Sequence, residues 1–257
     1  MIDCKVTIVT VTFIVKQMDS LLMTVKAENA DYAGKLKEYL NLRYEPVAIK
    51  LVKKGEAFPG NFSEPEKQMS HCQAVFGAKN GMCLKMPLSM QMCNVGAASL
   101  GMMETPEKVK TGEFHSGMGI HDSPEAAANM VGAAARIPYA TDGEVVCPLK
   151  DADFEPDVVA VVDIPERIYW FEGLLTHKDG GRVTYTTAPF QCACEDITVQ
   201  PIVSGKPNIS IGCFGCRKKT DMKPDEMAIG VPYALIPQMV SELEKYKDGV
   251  LTKAKRD

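Results

Sequence analysis

The sequence has no apolar stretch of membrane-spanning length. Its longest candidate, Lys5–Lys16 (KVTIVTVTFIVK), holds an apolar run of about ten residues, roughly half of what a bilayer crossing takes. The same segment lacks the basic start and small-residue cleavage site of a signal peptide. These absences argue against a membrane role and against export, and predict a cytoplasmic protein. Positive charge is not in excess either: 29 Lys and Arg stand against 33 Asp and Glu, a net charge of −4, which argues against a nucleic-acid partner. There is no phosphate-binding loop ending in Lys-Ser/Thr and no complete G-x-G-x-x-G. No Ser–His–Asp arrangement can be named from the chain. Internal repeats and low-complexity linkers are also missing, which favours one domain over an array.

What is present supports a sizeable core, with 46% hydrophobic and 24% charged residues in 257. Tyr32, Leu36, Tyr39 and Leu40 recur at helical spacing. The segment Val47–Val52 reads as a strand, and a loop rich in Gly, Pro and Ser follows. Residues 70–102, rich in Met, read as mostly helical. Ser123-Pro124-Glu125 is a helix start. EVVCPL, DVVAVVDI, RVTYTTA and EMAIGVP read as short strands, PERIYWFEGLLTHKDGG as a helix, and a closing helix packs Ile236, Met239, Val240 and Leu243. The pattern predicts an α+β fold, a single domain with a mixed β-sheet flanked by helices, over residues 23–257. The other arrangement is a Met-rich helical lobe set over the sheet. Residues 1–22 form a leader, read either as an extra strand or as a start assigned upstream of the true one.

Cysteine is abundant, nine in all. A chain this long needs no disulfide staples, so metal ligation or redox work is favoured over crosslinks. Cys192-Ala-Cys194 and Cys213-Phe-Gly-Cys216 bracket eighteen residues. Two thiolates two residues apart can curl round one ion, with Gly212 and Gly215 supplying backbone freedom. A C-x-C pair shares a face if extended, or sits at the positive end of a helix. Arg217, Lys218 and Lys219 follow, cations that lower thiolate pKa and offset the charge of a tetrathiolate cofactor. Cys72, Cys83 and Cys93 add three sulfurs, and Cys147 precedes a proline as the last ligand of many ferredoxin runs does. Setting Cys4 aside, eight cysteines suffice for two four-thiolate centres, or for one centre and four packed thiols. His71 beside Cys72 reads as hydrogen-bonded more readily than as a ligand, and His115 and His121 as a plain loop.

The stretches YEPVAIKL, HCQAVFGA, MCNVGAASLG, CACEDITVQPIVSGKPNISIGCFGCRK and DEMAIGVP together resemble the Domain of Unknown Function 169 family, common in archaea and anaerobic bacteria. The resemblance runs from about Glu28 to Leu243. It implies family cysteines at Cys72, Cys93, Cys194 and Cys213, with Cys83, Cys147, Cys192 and Cys216 as additions of an anaerobe-type subgroup. CNVGAASLG departs from the commoner Cys-Pro-Gly-Gly opening. The resemblance suggests one centre at the family positions and a second at the additions. The expectation is a cysteine-rich metal-binding protein, an iron–sulfur protein with one or two [4Fe–4S] clusters acting in electron transfer or in cofactor or metal assembly. Its partner would be a redox protein or a small-molecule cofactor. A zinc-stapled structural module and a thiol oxidoreductase working through Cys213 and Cys216 are the alternatives.

Overall fold

The computed structural model describes the backbone of residues 4–254 and the side chains of residue 20, residues 22–251 and residue 253. Six strands form one sheet: β1 (Val47–Lys53), β2 (Leu84–Pro87), β3 (Thr141–Pro148), β4 (Val158–Asp163), β5 (Asn208–Ser210) and β6 (Met227–Pro232), in the order β2-β3-β1-β4-β6-β5. A mixed sheet is expected from the sequence, but all five ladders are antiparallel. Among the described residues, parallel pairing occurs only as isolated bridges, Ser63 to Leu84 and Met69 to Gln91.

The sheet is buried on both faces. On one face Ala48, Val145, Val159 and Ile229 meet α1 (Cys4–Tyr39), α7 (Pro165–Thr176) and α10 (Ile236–Tyr246) through Leu36, Phe171 and Met239. On the other, Val47, Val146, Ala160 and Ala228 meet α2 (His71–Ala78), a π-helix (Cys192–Val199) and α9 (Phe214–Lys219). Between α2 and β3 the chain runs through α3 (Asn94–Ser99), α4 (Glu107–Lys110), α5 (Glu113–Ser116) and α6 (Pro124–Ala133), the last capped by Ser123. Short α8 (Gln200–Ser204) and α11 (Val250–Ala254) complete the order. Helices thus flank one sheet in a single α+β domain.

Three segments differ from the sequence reading, each for a physical reason. The run Lys5–Lys16 is helical, not a strand, and continues into the well-packed end of α1. Asn29 anchors that end by donating to the Ala152 and Phe154 carbonyls at 3.0 and 2.9 Å. Extending an existing helix adds a hydrogen bond per residue, which outweighs a propensity deficit of under about 1 kcal/mol per β-branched residue. Leu84–Pro87, inside the segment read as helical, is edge strand β2, with burial alternating along it. RVTYTTA (182–188) is irregular and joins no ladder. Asn208 takes the place of a strand partner there: its amide oxygen accepts from Thr186 N–H at 2.9 Å and its nitrogen donates to Thr186 O at 2.7 Å.

Candidate metal centre

Six cysteines line one cavity of about 150 Å³: Cys72, Cys93, Cys192, Cys194, Cys213 and Cys216. Local sequence explains how each is aimed. Ser70 and Gln73 form a capping box that starts α2, and Ser70 Oγ lies 3.0 Å from Cys72 Sγ. Cys93 caps α3, its sulfur accepting from Gly96 N–H at 3.4 Å. Cys213 caps α9 in the same way, accepting from Cys216 N–H at 3.4 Å. Gly212 permits the turn before it with φ +89°, whereas Gly215 is helical and needs no such freedom. Gln191, left-handed at φ 65°, turns the chain into the π-helix and donates to Ser99 Oγ at 2.7 Å. The C-x-C pair is therefore helical, and its two sulfurs meet different neighbours. Cys192 lies within interaction reach of Cys213 and Cys216, while Cys194 lies beside Gly96 and Cys93.

The thiols share protons unequally. Cys213 is pushed far down by its contacts with the Cys192 and Cys216 side chains, with backbone N–H groups assisting. Cys192 is pushed up by its contact with Cys213 and by burial, with Cys216 opposing them, and Cys216 is pushed up by Cys192, Cys213 and Cys72 together. Cys72 is lowered to about 7, chiefly by its contact with Cys216, with Ser70 assisting. Burial raises Cys194 well above its ordinary value, and raises Cys93 as well.

Two cations missed by the sequence reading stand near these sulfurs. His71 is 1% exposed. Its Nδ1 lies 2.6 Å from Glu144 Oε2, and Nε2 faces Thr198 Oγ1 at 3.0 Å and Ala193 O at 3.2 Å. With the Thr198 hydroxyl donating to Ala193 O, 2.7 Å away, both ring nitrogens face acceptors, an arrangement that favours the imidazolium. Burial works against that charge, but Glu144 outweighs it and raises the His71 pKa. Arg136, held by Ser99 Oγ at 2.8 Å, lies within electrostatic reach of Cys194. The position of His71 beside Cys72 was its one legible signal.

The cavity's outer wall is aromatic. His115, from the loop read as plain, packs at a tilt of 54° against Phe190 with ring centroids 4.5 Å apart, and Phe114 and Met118 stand beside it. Two buried atoms in this wall, His115 Nδ1 and Gln191 Oε1, have no hydrogen-bond partner. A wider hollow of about 580 Å³ adjoins the cavity and shares Cys72 and Cys93 with it, with Lys108 and Lys219 in its lining.

The remaining predicted residues lie elsewhere or act differently. Cys83 and Cys147 belong to the core on the opposite face of the sheet, so they cannot join Cys192 and Cys216 in a second centre. Burial pushes both thiols up, that of Cys147 far up. Arg217 is a brace: its guanidinium donates to the carbonyls of Ile211, Lys223 and Glu226. Lys218 lies over the Phe214 ring at 5.3 Å. Only Lys219 of the three reaches a hollow beside the sulfurs. Cys4 lies outside the described side chains.

The donor set is soft and rich in sulfur, which fits a thiophilic metal or an iron–sulfur cluster. Among the described residues, no three Cys, His, Asp or Glu side chains are arranged as they stand to hold a single ion. No described helix is long and apolar enough to cross a membrane. An uncharacterized protein of Methanocaldococcus jannaschii is 28% identical over 225 residues, covering 86% of this chain and 95% of that one. No solved structure matches. The Domain of Unknown Function 169 family, described as uncharacterised ArCR, matches residues 35–242. All six cavity cysteines and all six strands fall inside that match, and the chain belongs to this family.

Proposed function

We propose that the cavity holds one [4Fe–4S] cluster and that the protein serves in electron transfer or in cofactor or metal assembly. One observation carries the reading: Cys72, Cys93, Cys194 and Cys213 reach the cavity from four different elements, α2, the start of α3, the π-helix and the start of α9. Sulfurs arriving from four sides suit a cluster ligated at each corner. Cys192 and Cys216, in contact with Cys213, would act as outer-sphere donors or exchange ligands, the kind of contact that tunes a centre. His71 and Arg136 would balance thiolate charge from behind. When bound, the cluster supplies one-electron chemistry. The adjoining hollow, with Lys108 and Lys219, offers an anionic small molecule or a redox partner's side chain a place beside Cys72 and Cys93.

Zinc is the second reading, favoured by the electrostatic coupling of Cys72, Cys216, Cys192 and Cys213 along one side of the cavity, enough sulfurs for a Cys4 site once they draw together. The asymmetry between Cys213, held as thiolate, and Cys216, held as thiol, favours a thiol oxidoreductase. Anaerobic purification with iron, sulfide and zinc analysis separates the three. The cluster reading expects brown protein with matched iron and acid-labile sulfide, lost in Cys194→Ser and kept in Cys83→Ser. Colourless protein with one zinc per chain would support the second reading. Metal-free protein with a Cys213–Cys216 disulfide would support the third.

A further inference from the structure

Cys83 and Cys147 are left out of the cavity, and their placement has its own logic. The β2–β3 register runs Leu84 to Val146, Lys85 to Val145 and Met86 to Glu144; one step back, Cys83 faces Cys147. Backbone hydrogen bonds on both sides fix what kind of pair this is. Lys85 N–H donates outward to Ser63 O at 3.0 Å, so Lys85–Val145 is a non-hydrogen-bonded pair and, by alternation, so is Cys83–Cys147. On the other side, Asp157 N–H donates to Ile49 O at 2.9 Å, so Ile49 turns its polar groups to β4. Its neighbour Ala48 then turns toward β3, where it pairs with Cys147. The Cys147 backbone is thus bonded to β1, leaving a narrow pair toward β2. Such pairs bring Cα atoms to about 4.5 Å, inside the range of about 4.4–6.8 Å that a disulfide spans. Both side chains pack in the core beneath α1, and Cys147 feels the charge of Cys83.

We infer that Cys83 and Cys147 form a reversible cross-strand disulfide, a redox modification site on the face of the sheet opposite the cavity. The oxidant is a low-molecular-weight disulfide, RSSR. The Cys83 sulfur, as thiolate after losing its proton to water, attacks one sulfur of RSSR, forming a mixed disulfide and releasing RS⁻. Cys147, losing its proton in turn, attacks the Cys83 sulfur; the S–S bond between them forms and a second RS⁻ leaves. Two protein thiols are oxidised by two electrons, RSSR is reduced to two thiols, and the two protons end on those thiols. Exposure sets the order, since Cys83 is half-buried and Cys147 fully buried. Burial and the charge of Asp151 hold the Cys83 thiol above its ordinary value, with Lys26 and Lys150 opposing them, so the exchange is slow at neutral pH and quickens as pH rises. The bond closes residues 84–146 into a loop that contains Cys93, Phe114 and His115 of the cavity wall.

The test uses the full-length protein as purified, incubated with oxidised glutathione, blocked with an alkylating reagent and mapped by mass spectrometry after proteolysis. The expected result is a peptide pair joined through Cys83 and Cys147, opened again by dithiothreitol. A rise in melting temperature on oxidation should accompany it in the native chain and be lost in Cys83→Ser. Recovery of Cys83 and Cys147 both alkylated, while other cysteines have paired, overturns the inference. So does a Cys83–glutathione adduct that never resolves. The mapping on the native chain decides the matter even if Cys83→Ser does not fold.

Discussion

Ser70 shows how much one hydroxyl does at this site. It caps α2 and reaches the Cys72 sulfur, and the Cys216 side chain adds a stronger contact that lowers Cys72 to about 7. A depressed thiol stabilises the fold fully above its unfolded value, about 9, and that contribution is lost as pH falls through about 7. In metal-free protein, alkylation of Cys72 should therefore have a midpoint near 7, read peptide by peptide, and Ser70→Ala should move it upward. A midpoint near 9 in the native chain would mean that the Cys216 contact is not made in solution. The residue types were legible in the sequence: spacing marked the two cysteine pairs, and Cys72 and Cys93 stood among eight candidates together with Cys83 and Cys147. Their charged partners were not. Glu144 lies 73 positions from His71, and no local pattern links a buried imidazolium to a carboxylate on a strand.

At the scale of elements, the π-helix is the piece most tightly fitted to the sheet. It crosses β6 where Gly230 offers no side chain, and a Cβ there would lie 1.9 Å from the Ile197 carbonyl oxygen. Backbone meets backbone, so nothing flexible can give way. Gly230→Ala should destabilise the protein by about 3 kcal/mol or more, measured by urea unfolding, and should lower metal content because Cys192 and Cys194 ride on that helix. Strands β1, β3, β4 and β6 and helices α6, α7 and α10 were legible because their apolar periodicity and turn residues are local signals. The π-helix was not, since one extra residue per turn leaves no compositional mark. RVTYTTA was misread for a related reason: its β-branched residues carry strand propensity, but Asn208 rather than a strand completes its hydrogen bonds.

For the molecule as a whole, the first buried residue among the described side chains of α1 is Asn29, whereas Leu22 and Met23 are 44% and 72% exposed. A chain beginning at Met23 should keep every core contact described for α1. It should melt within about 2 °C of the full-length protein, a shift of well under 1 kcal/mol. Insolubility of the shorter chain would show that the preceding turns are needed. The α+β class was legible from alternating helical and strand patterns. The division of cysteines into six and two was not, because it depends on which face of a sheet each residue occupies.

That division reduces to parity. Along β3, even-numbered Glu144 and Val146 look toward His71 and the cavity, while odd-numbered Val145 and Cys147 look toward α1. A register slip of a single residue would exchange the two sets. It would bring an extra sulfur to the cavity side while taking away the carboxylate that holds the His71 charge. The protein therefore keeps two sulfur populations chemically separate with no membrane or domain boundary between them, and the partition is one β-sheet thick.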